Sequence, residues 1–167
     1  GLGITEAALM MQTIAESGAA MSGCSAVHMN IFGPNVIVVF GNEEQKQRML
    51  PPLITGKTRA CFGVTEPDAG LDTTHLKTKA IPKNDHYLIS GHKVWTSTAQ
   101  VADKILLIAR TRPIEQCEKP SDGLSLFYTD LDRSAIEVRE IEKMGRKAVD
   151  SNELFINELR VPFEDRI

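Results

Sequence analysis

Two short segments carry the residue types that could hold a flat ring with polar edges. The first, Cys61–Gly70, is typical of a strand that runs into a turn, because Glu66 and Asp68 flank a proline and a glycine follows closely. The second, Gly91–Ser97, contains Trp95, the only tryptophan of the chain, next to hydroxyl side chains. A planar cofactor needs such an aromatic face for packing and such donors at its edge. A tryptophan buried in a core is the alternative interpretation.

Other patterns that could support chemistry are weaker. Glu66 and Asp68 could form an acid–base pair, but acidic residues in turns more often cap backbone amides. The chain has neither a GxGxxG nor a P-loop pattern for nucleotides, and no GxSxG nucleophile motif. Its four histidines and three cysteines lack the spacing of metal ligands or of a disulfide framework. We therefore expect no metal site, and we expect Cys61 to pack in the core.

Composition excludes several classes of partner. A net charge of −3 and an aromatic content of 5% give no basis for binding nucleic acid. The longest apolar run, Val36–Phe40, is far shorter than the roughly 20 residues of a membrane span. No signal peptide is visible, so we expect a protein that is not secreted. The absence of an initiator methionine before Gly1 suggests a fragment.

The hydrophobic pattern changes near residue 58, which predicts a helical domain over 1–58 and a β domain over 59–167. In the first part, apolar residues from Ile4 to Ala15 recur at helical spacing. A connector over 21–24, a helix over 26–31 and a short helix over 35–40 should follow. Asn42 and Gln45 have the spacing of a capping box at the start of a further helix.

The second part has the pattern of about seven short strands without intervening helices. The expected strands cover residues 61–64, 73–81, 86–96, 104–110, 124–130, 136–140 and 153–159, with a kink at Gly91 in the third. The predicted fold class is α+β, with an N-terminal helical segment followed by a small antiparallel β-barrel.

The chain resembles the acyl-CoA dehydrogenase family nearly from end to end. Phe62–Gly70 is similar to the family's flavin-loop signature, and Gly91–Ser97 is similar to its second flavin signature. Phe40–Lys46 resembles a helical element of the family, and Glu153–Pro162 resembles the end of its middle domain. Several motifs in the expected order are more specific than any one of them.

The resemblance implies FAD-dependent α,β-dehydrogenation of an acyl-CoA thioester. Electrons would pass to an electron-transfer flavoprotein, and the parent would be a dimer or tetramer in the bacterial cytoplasm or the mitochondrial matrix. In this reading Thr65 bonds the flavin ring, Trp95 packs beside it and Ser97 reaches its N5 edge. The implied cofactor-binding residues are Phe62, Gly63, Val64, Thr65, Trp95, Thr96 and Ser97.

Three features depart from the family pattern. Gly70 and Leu71 are the implied substrate contacts, but Leu71 replaces a serine that bonds CoA, and a leucine cannot make that bond. Thr98-Ala99 stands where the family often has Asn-Gly. The family's catalytic glutamate belongs to a C-terminal helical domain, and we find no residue here for that role.

We therefore expect this chain alone to be inactive and to hold FAD poorly. The alternatives are an acyl-CoA oxidase or flavin monooxygenase on the same scaffold, or a non-enzymatic β-barrel binding module.

Overall fold

The computed structural model describes residues 3–167 of the chain. In this part the helical segment contains α1 (Ile4–Ile14), α2 (Ala20–His28), α3 (Asn35–Phe40) and α4 (Glu43–Ile54), and a short π-helical stretch, Ala15–Ala19, joins the first two. The predicted division between residues 58 and 59 falls in the connection after α4 and stays a prediction.

The start of α4 confirms the predicted capping box. The Asn42 side chain accepts a hydrogen bond from the Gln45 amide at 2.8 Å, and the Asn42 amide donates to Gln45 Oε1 at 3.0 Å. A local hydrogen bond also ends α3, because the Gly41 amide donates to the Ile37 carbonyl at 2.9 Å. A Cβ atom at Gly41 would lie 2.5 Å from that carbonyl oxygen, so this position accepts only glycine.

The connector predicted over residues 21–24 is wrong. Those residues belong to α2, and the chain breaks earlier, at Gly18, whose φ of +92° suits glycine. Cys24 helps to hold α2 against α1, since its thiol donates to the Met11 carbonyl at 3.2 Å. The sequence predicted a second helix over 26–31, but the helix begins and ends earlier, at Ala20 and His28.

Seven strands form one curled sheet, a half-barrel, in the described residues. They are β1 (Ala60–Gly63), β2 (Lys79–Pro82), β3 (His86–Ser97), β4 (Lys104–Arg110), β5 (Leu124–Asp130), β6 (Ile136–Glu140) and β7 (Ser151–Pro162). The order is β1-β4-β2-β3-β7-β6, with β5 on β4. This confirms the α+β class. However, the sheet is mixed rather than purely antiparallel, since β4 pairs in parallel with both β1 and β2.

The expected strand over residues 73–81 forms only at its end. Asp72 accepts a hydrogen bond from the Thr74 amide at 3.0 Å and so stabilises a 3-10 turn over Thr73–His75. The chain becomes a strand only at Lys79. A local side chain-to-backbone bond therefore overrides the alternating pattern at the start of this segment.

Strand β4 connects the two parts of the chain, because it is buried on both faces. Ile105 and Leu107 point into the core of the half-barrel. Leu106, on the opposite face, packs in a second cluster with Ile37 and Met49 from the helices. A strand that is buried on both faces requires apolar residues at every position rather than at alternate ones.

Candidate functional site

The two segments singled out in the sequence lie side by side. The Val94 amide donates to the Thr65 carbonyl at 2.8 Å, which joins the bulged part of β3 to the chain just after β1. Lys93 Nζ donates to the Val64 carbonyl at 3.0 Å. The barrel wall, defined here as residues 62–65 and 94–97, is therefore one continuous surface.

Trp95 lies at a bulge in β3. The register between β3 and β7 shifts between Lys93 and Thr96, and Trp95 itself has a φ of +60°, which is uncommon for a bulky residue. As a result the indole is 59% exposed instead of buried in the core. The core-tryptophan alternative is therefore wrong. Bulges often re-aim a side chain in this way beside functional sites.

A cleft of about 480 Å³ separates the barrel wall from α1 and α2. Its barrel side consists of Phe62, Val64, Thr65, Val94, Trp95 and Ser97. The helical wall, defined here as the lining residues of α1, α2 and the turn after them, consists of Met11, Met21, Cys24, Ser25, His28 and Met29. Arg146 lines the cleft as well. No carboxylate is among these lining residues.

Two predicted cofactor-binding residues point away from the cleft. Thr96 is 1% exposed, and its carbonyl accepts a hydrogen bond from Asn152 Nδ2 at 2.9 Å. Gly63 faces the core, where a Cβ atom would lie 3.1 Å from Ile105 and from Leu107. These two residues can contribute backbone only. The assignment of the other five to a cofactor stays a prediction, although the structure brings all five to one surface.

The predicted substrate contacts lie elsewhere. Gly70 and Leu71 follow the turn closed by Glu66 and Ala69, whose amides and carbonyls exchange hydrogen bonds of 3.1 Å. The Leu71 side chain is fully exposed, and neither residue lines the cleft.

A buried ion pair, which the sequence reading missed, supports the barrel wall from behind. Lys93 Nζ donates to Glu66 Oε1 at 2.9 Å, and the two side chains are 0% and 5% exposed. The same carboxylate accepts hydrogen bonds from the Lys77 amide at 2.6 Å, the Thr78 amide at 2.9 Å and the Thr78 hydroxyl. Three of these four bonds end on Oε1 and one on Oε2, so the carboxylate is committed to structural partners rather than directed at the cleft. Asp68, its suggested partner, is exposed and pairs with Lys77 at 2.7 Å.

The ionisation of Glu66 reflects these partners. Burial raises the pKa of the carboxyl, but the hydrogen bonds from Thr78, the Lys77 amide and Lys93 outweigh burial, so the pKa is lowered from its ordinary value of 4.5. A lowered pKa in the folded state adds stability above pH 4.5, and that stability is lost as the pH falls through the folded-state pKa.

We expect Glu66→Gln to lower the free energy of unfolding by about 3 kcal/mol at neutral pH, because Lys93 then lies buried without a counter-charge. The difference from the wild type should shrink as the pH falls below 4.5, which urea titrations at a series of pH values would measure. Asp68→Asn, at an exposed carboxylate that pairs with Lys77, should change the acid dependence much less. A difference that stays constant with pH would contradict the role given to Glu66.

Gly91 makes room for this arrangement. A Cβ atom at Gly91 would lie 2.2 Å from Thr78 Oγ1 and 2.7 Å from Thr78 Cα, so only glycine lets Thr78 approach β3. Gly91, which the sequence analysis predicted to be a kink, is thus the point where β3 contacts Thr78, a hydrogen-bond donor to Glu66.

Gly91→Ala should therefore destabilise the fold by about 3 kcal/mol, since Thr78 must move and loosen its bonds to Glu66. Gly145→Ala is the matched control, because nothing lies within 4 Å of a Cβ atom there. Thermal or urea unfolding of both variants would show whether the loss is specific to Gly91; equal small losses would refute the packing argument.

The barrel wall fits a flavin because it presents unbonded hydroxyls and an exposed aromatic face to the cleft. The residues Thr65 and Ser97 line the cleft, and their hydroxyls make no hydrogen bond within residues 3–167. Ser97 is held by its backbone, through the ladder with Ser151 and the bond that its carbonyl accepts from Thr98. The exposed indole of Trp95 supplies a flat apolar face between them. Free edge donors beside such a face match the isoalloxazine ring, which has a planar body and polar edges.

Other titratable groups do not form a second centre. Burial raises the pKa of the Cys61 thiol to about 12, which makes it inert and consistent with the predicted core position. Within the described residues, no three His, Cys, Asp or Glu side chains converge as metal ligands. The helices of this part of the chain are too short or too polar to cross a bilayer.

Comparison with known proteins identifies the class. Residues 1–57 match the family model for the acyl-CoA dehydrogenase N-terminal domain, and residues 61–159 match that for the acyl-CoA dehydrogenase middle domain. The half-barrel and its helical segment are thus the first two domains of a dehydrogenase scaffold. The chain belongs to the acyl-CoA dehydrogenase family, which confirms the resemblance seen in the sequence.

Individual relatives agree with this assignment. The CarC subunit of the caffeyl-CoA reductase–Etf complex of Acetobacterium woodii is 31% identical over 91% of this chain and 40% of its own length. The structure of a glutaryl-coenzyme A dehydrogenase–glutaryl-CoA complex superimposes with a TM-score of 0.84 at 31% identity, covering 94% of this chain and 40% of that one. A glutaryl-CoA dehydrogenase of Mycobacterium smegmatis in complex with FADH2 gives a TM-score of 0.77 at 27% identity, over 93% and 38%.

The chain spans only about two fifths of the length of these relatives. The activity, substrates and partners of a whole protein therefore belong to the proposal that follows.

Proposed function

We propose that this chain supplies the barrel wall and the helical wall of an FAD-dependent acyl-CoA dehydrogenase. The observation that carries the proposal is the convergence of Thr65, Trp95 and Ser97 on one cleft, with the indole exposed and both hydroxyls unbonded. The relatives support it, since one is named for a reductase–Etf complex and two structures contain glutaryl-CoA or FADH2.

The residues of the barrel wall would hold FAD and supply donors at its edge. When bound, the flavin accepts the hydride that leaves the β-carbon of the acyl group. Thr65 and Ser97 would stabilise the negative charge that develops on the ring, because fixed donors in a partly enclosed cleft act with little reorganisation. Trp95 would keep water from one face of the ring.

Removal of the α-proton needs a base that the described cleft lacks, since no carboxylate lines it. We propose that this base lies in another part of the complete protein, as do the remaining contacts to FAD. Electrons would then leave to a flavoprotein acceptor, and the proposed substrate is an acyl-CoA thioester.

The direct test is turnover by the product of the complete gene, purified with FAD and given acyl-CoA thioesters and an electron-accepting dye. We expect dye reduction and little hydrogen peroxide, whereas the 167-residue chain with added FAD should give neither. Rapid peroxide formation would favour the oxidase alternative. A gene product without flavin absorbance would overturn the proposal in favour of a binding module.

Trp95→Ala in the same complete protein should weaken FAD binding at least about tenfold, because the ring loses its aromatic contact. Ile81→Ala is the control, since Ile81 is also an exposed apolar residue, at 52%, but lies outside the cleft. Flavin fluorescence during titration of the apoprotein measures both affinities. Equal affinities for the two variants would show that the barrel wall does not pack on the flavin.

A further inference from the structure

The helical wall of the cleft is apolar except at two positions. Met11, Met21, Cys24 and Met29 give it a lining of carbon and sulfur. Ser25 and His28, three residues apart on α2, place a hydroxyl and an imidazole among them. Residues at this spacing lie on one face of a helix, so the two polar groups are neighbours on the wall.

Ser25 has an unused hydroxyl. The residue is 4% exposed, it lines the cleft, and its Oγ makes no hydrogen bond within residues 3–167. The Oγ atom is not enclosed by protein and stays open to the cleft. Such a group is well placed to bond a ligand that fills the cleft.

His28 has a defined tautomer in its neutral form. Its Nδ1 atom lies 2.9 Å from the Ser25 carbonyl oxygen, which can only accept, so Nδ1 carries the proton. The other ring nitrogen, Nε2, is then a bare acceptor on a side chain that lines the cleft. The helical wall thus offers one hydroxyl and one lone pair to a ligand.

We propose that Ser25 and His28 recognise a hydroxyl group on the acyl part of the substrate, so that the enzyme prefers hydroxyacyl thioesters to plain acyl thioesters. The inference rests on the proposed function. If the flavin packs on the barrel wall, the acyl group must lie between the flavin and the helical wall. It then touches α2.

A hydroxyl fits the pair because it both donates and accepts. It donates to His28 Nε2 and accepts from Ser25 Oγ, which satisfies both wall groups. A plain alkyl chain would leave both unbonded and desolvated, which is the situation that gives strong discrimination between substrates. The hydroxyl must lie beyond the β-carbon, since the α- and β-carbons have to face the reacting edge of the flavin.

The test is calorimetric binding to the complete gene product loaded with FAD. The probes are unreactive thioethers, S-butyl- to S-octyl-CoA, each compared with its ω-hydroxy counterpart. At one chain length the hydroxyl should tighten binding at least about tenfold. His28→Leu and Ser25→Ala should each remove most of that preference, and His28→Gln, which retains an acceptor, should keep part of it. His75→Leu, at an exposed histidine outside the cleft, is the control.

Equal affinity for both probes at every chain length would overturn the inference. The inference would also be overturned if His28→Leu weakened the binding of both probes equally, because His28 would then shape the cleft without bonding the hydroxyl. If the His28→Leu variant does not retain FAD, the affinities of the His28→Gln variant for the two probes are compared instead. A protein that holds FAD and oxidises plain acyl-CoA without a hydroxyl preference refutes this inference only, whereas a protein without FAD refutes the proposed function as well.

Discussion

The buried contact between Glu66 and Lys93 is the constraint on which the barrel wall depends. Three parts of the chain meet at this carboxylate: the turn after β1, the segment before β2 through Thr78, and β3 through Lys93. Lys93 also bonds the Val64 carbonyl, so the same ammonium group links the segments Cys61–Gly70 and Gly91–Ser97. Burying a charge pair away from water costs free energy unless hydrogen bonds compensate the two groups. Here the carboxylate accepts four hydrogen bonds.

The supporting structure explains why residues away from the cleft matter for its shape. Gly91 touches no ligand, yet it sets how closely Thr78 approaches β3 and hence how Glu66 is held. The bulge at Trp95 follows directly after Lys93, so the strand is anchored on its inner side just before the indole turns outward. The exposed indole and the Ser97 hydroxyl therefore follow a strand position that the buried network anchors.

The sequence predicted those elements whose signals are local. The capping box at Asn42 and the bounds of β5 and β6 depend on residues close in the chain, and all of them are present. The parallel pairing of β4, the Glu66–Lys93 contact and the orientation of Thr96 depend on residues far apart in sequence, which no single-chain pattern encodes. The bulge accounts for Thr96: an extra residue at Trp95 changes which side chains face inward, so strict alternation fails there.

The pairing of the strands also sets when the cleft can form. β1 has its ladder partner in β4, from Ala60 with Lys104 onward, and β3 is held in register by β7, which ends at Pro162. The first part of β3, Tyr87–Ser90, pairs early with β2. Its wall-forming end, Thr96 and Ser97, pairs only with β7, and β1 pairs only with β4, so both must close long loops to partners made later in synthesis. During translation the hairpin of β2 and β3 can form first, while this end of β3 remains unpaired. A nascent chain of this protein therefore cannot pair the Thr96–Ser97 end of the barrel wall until Ser151 and Asn152 have been made.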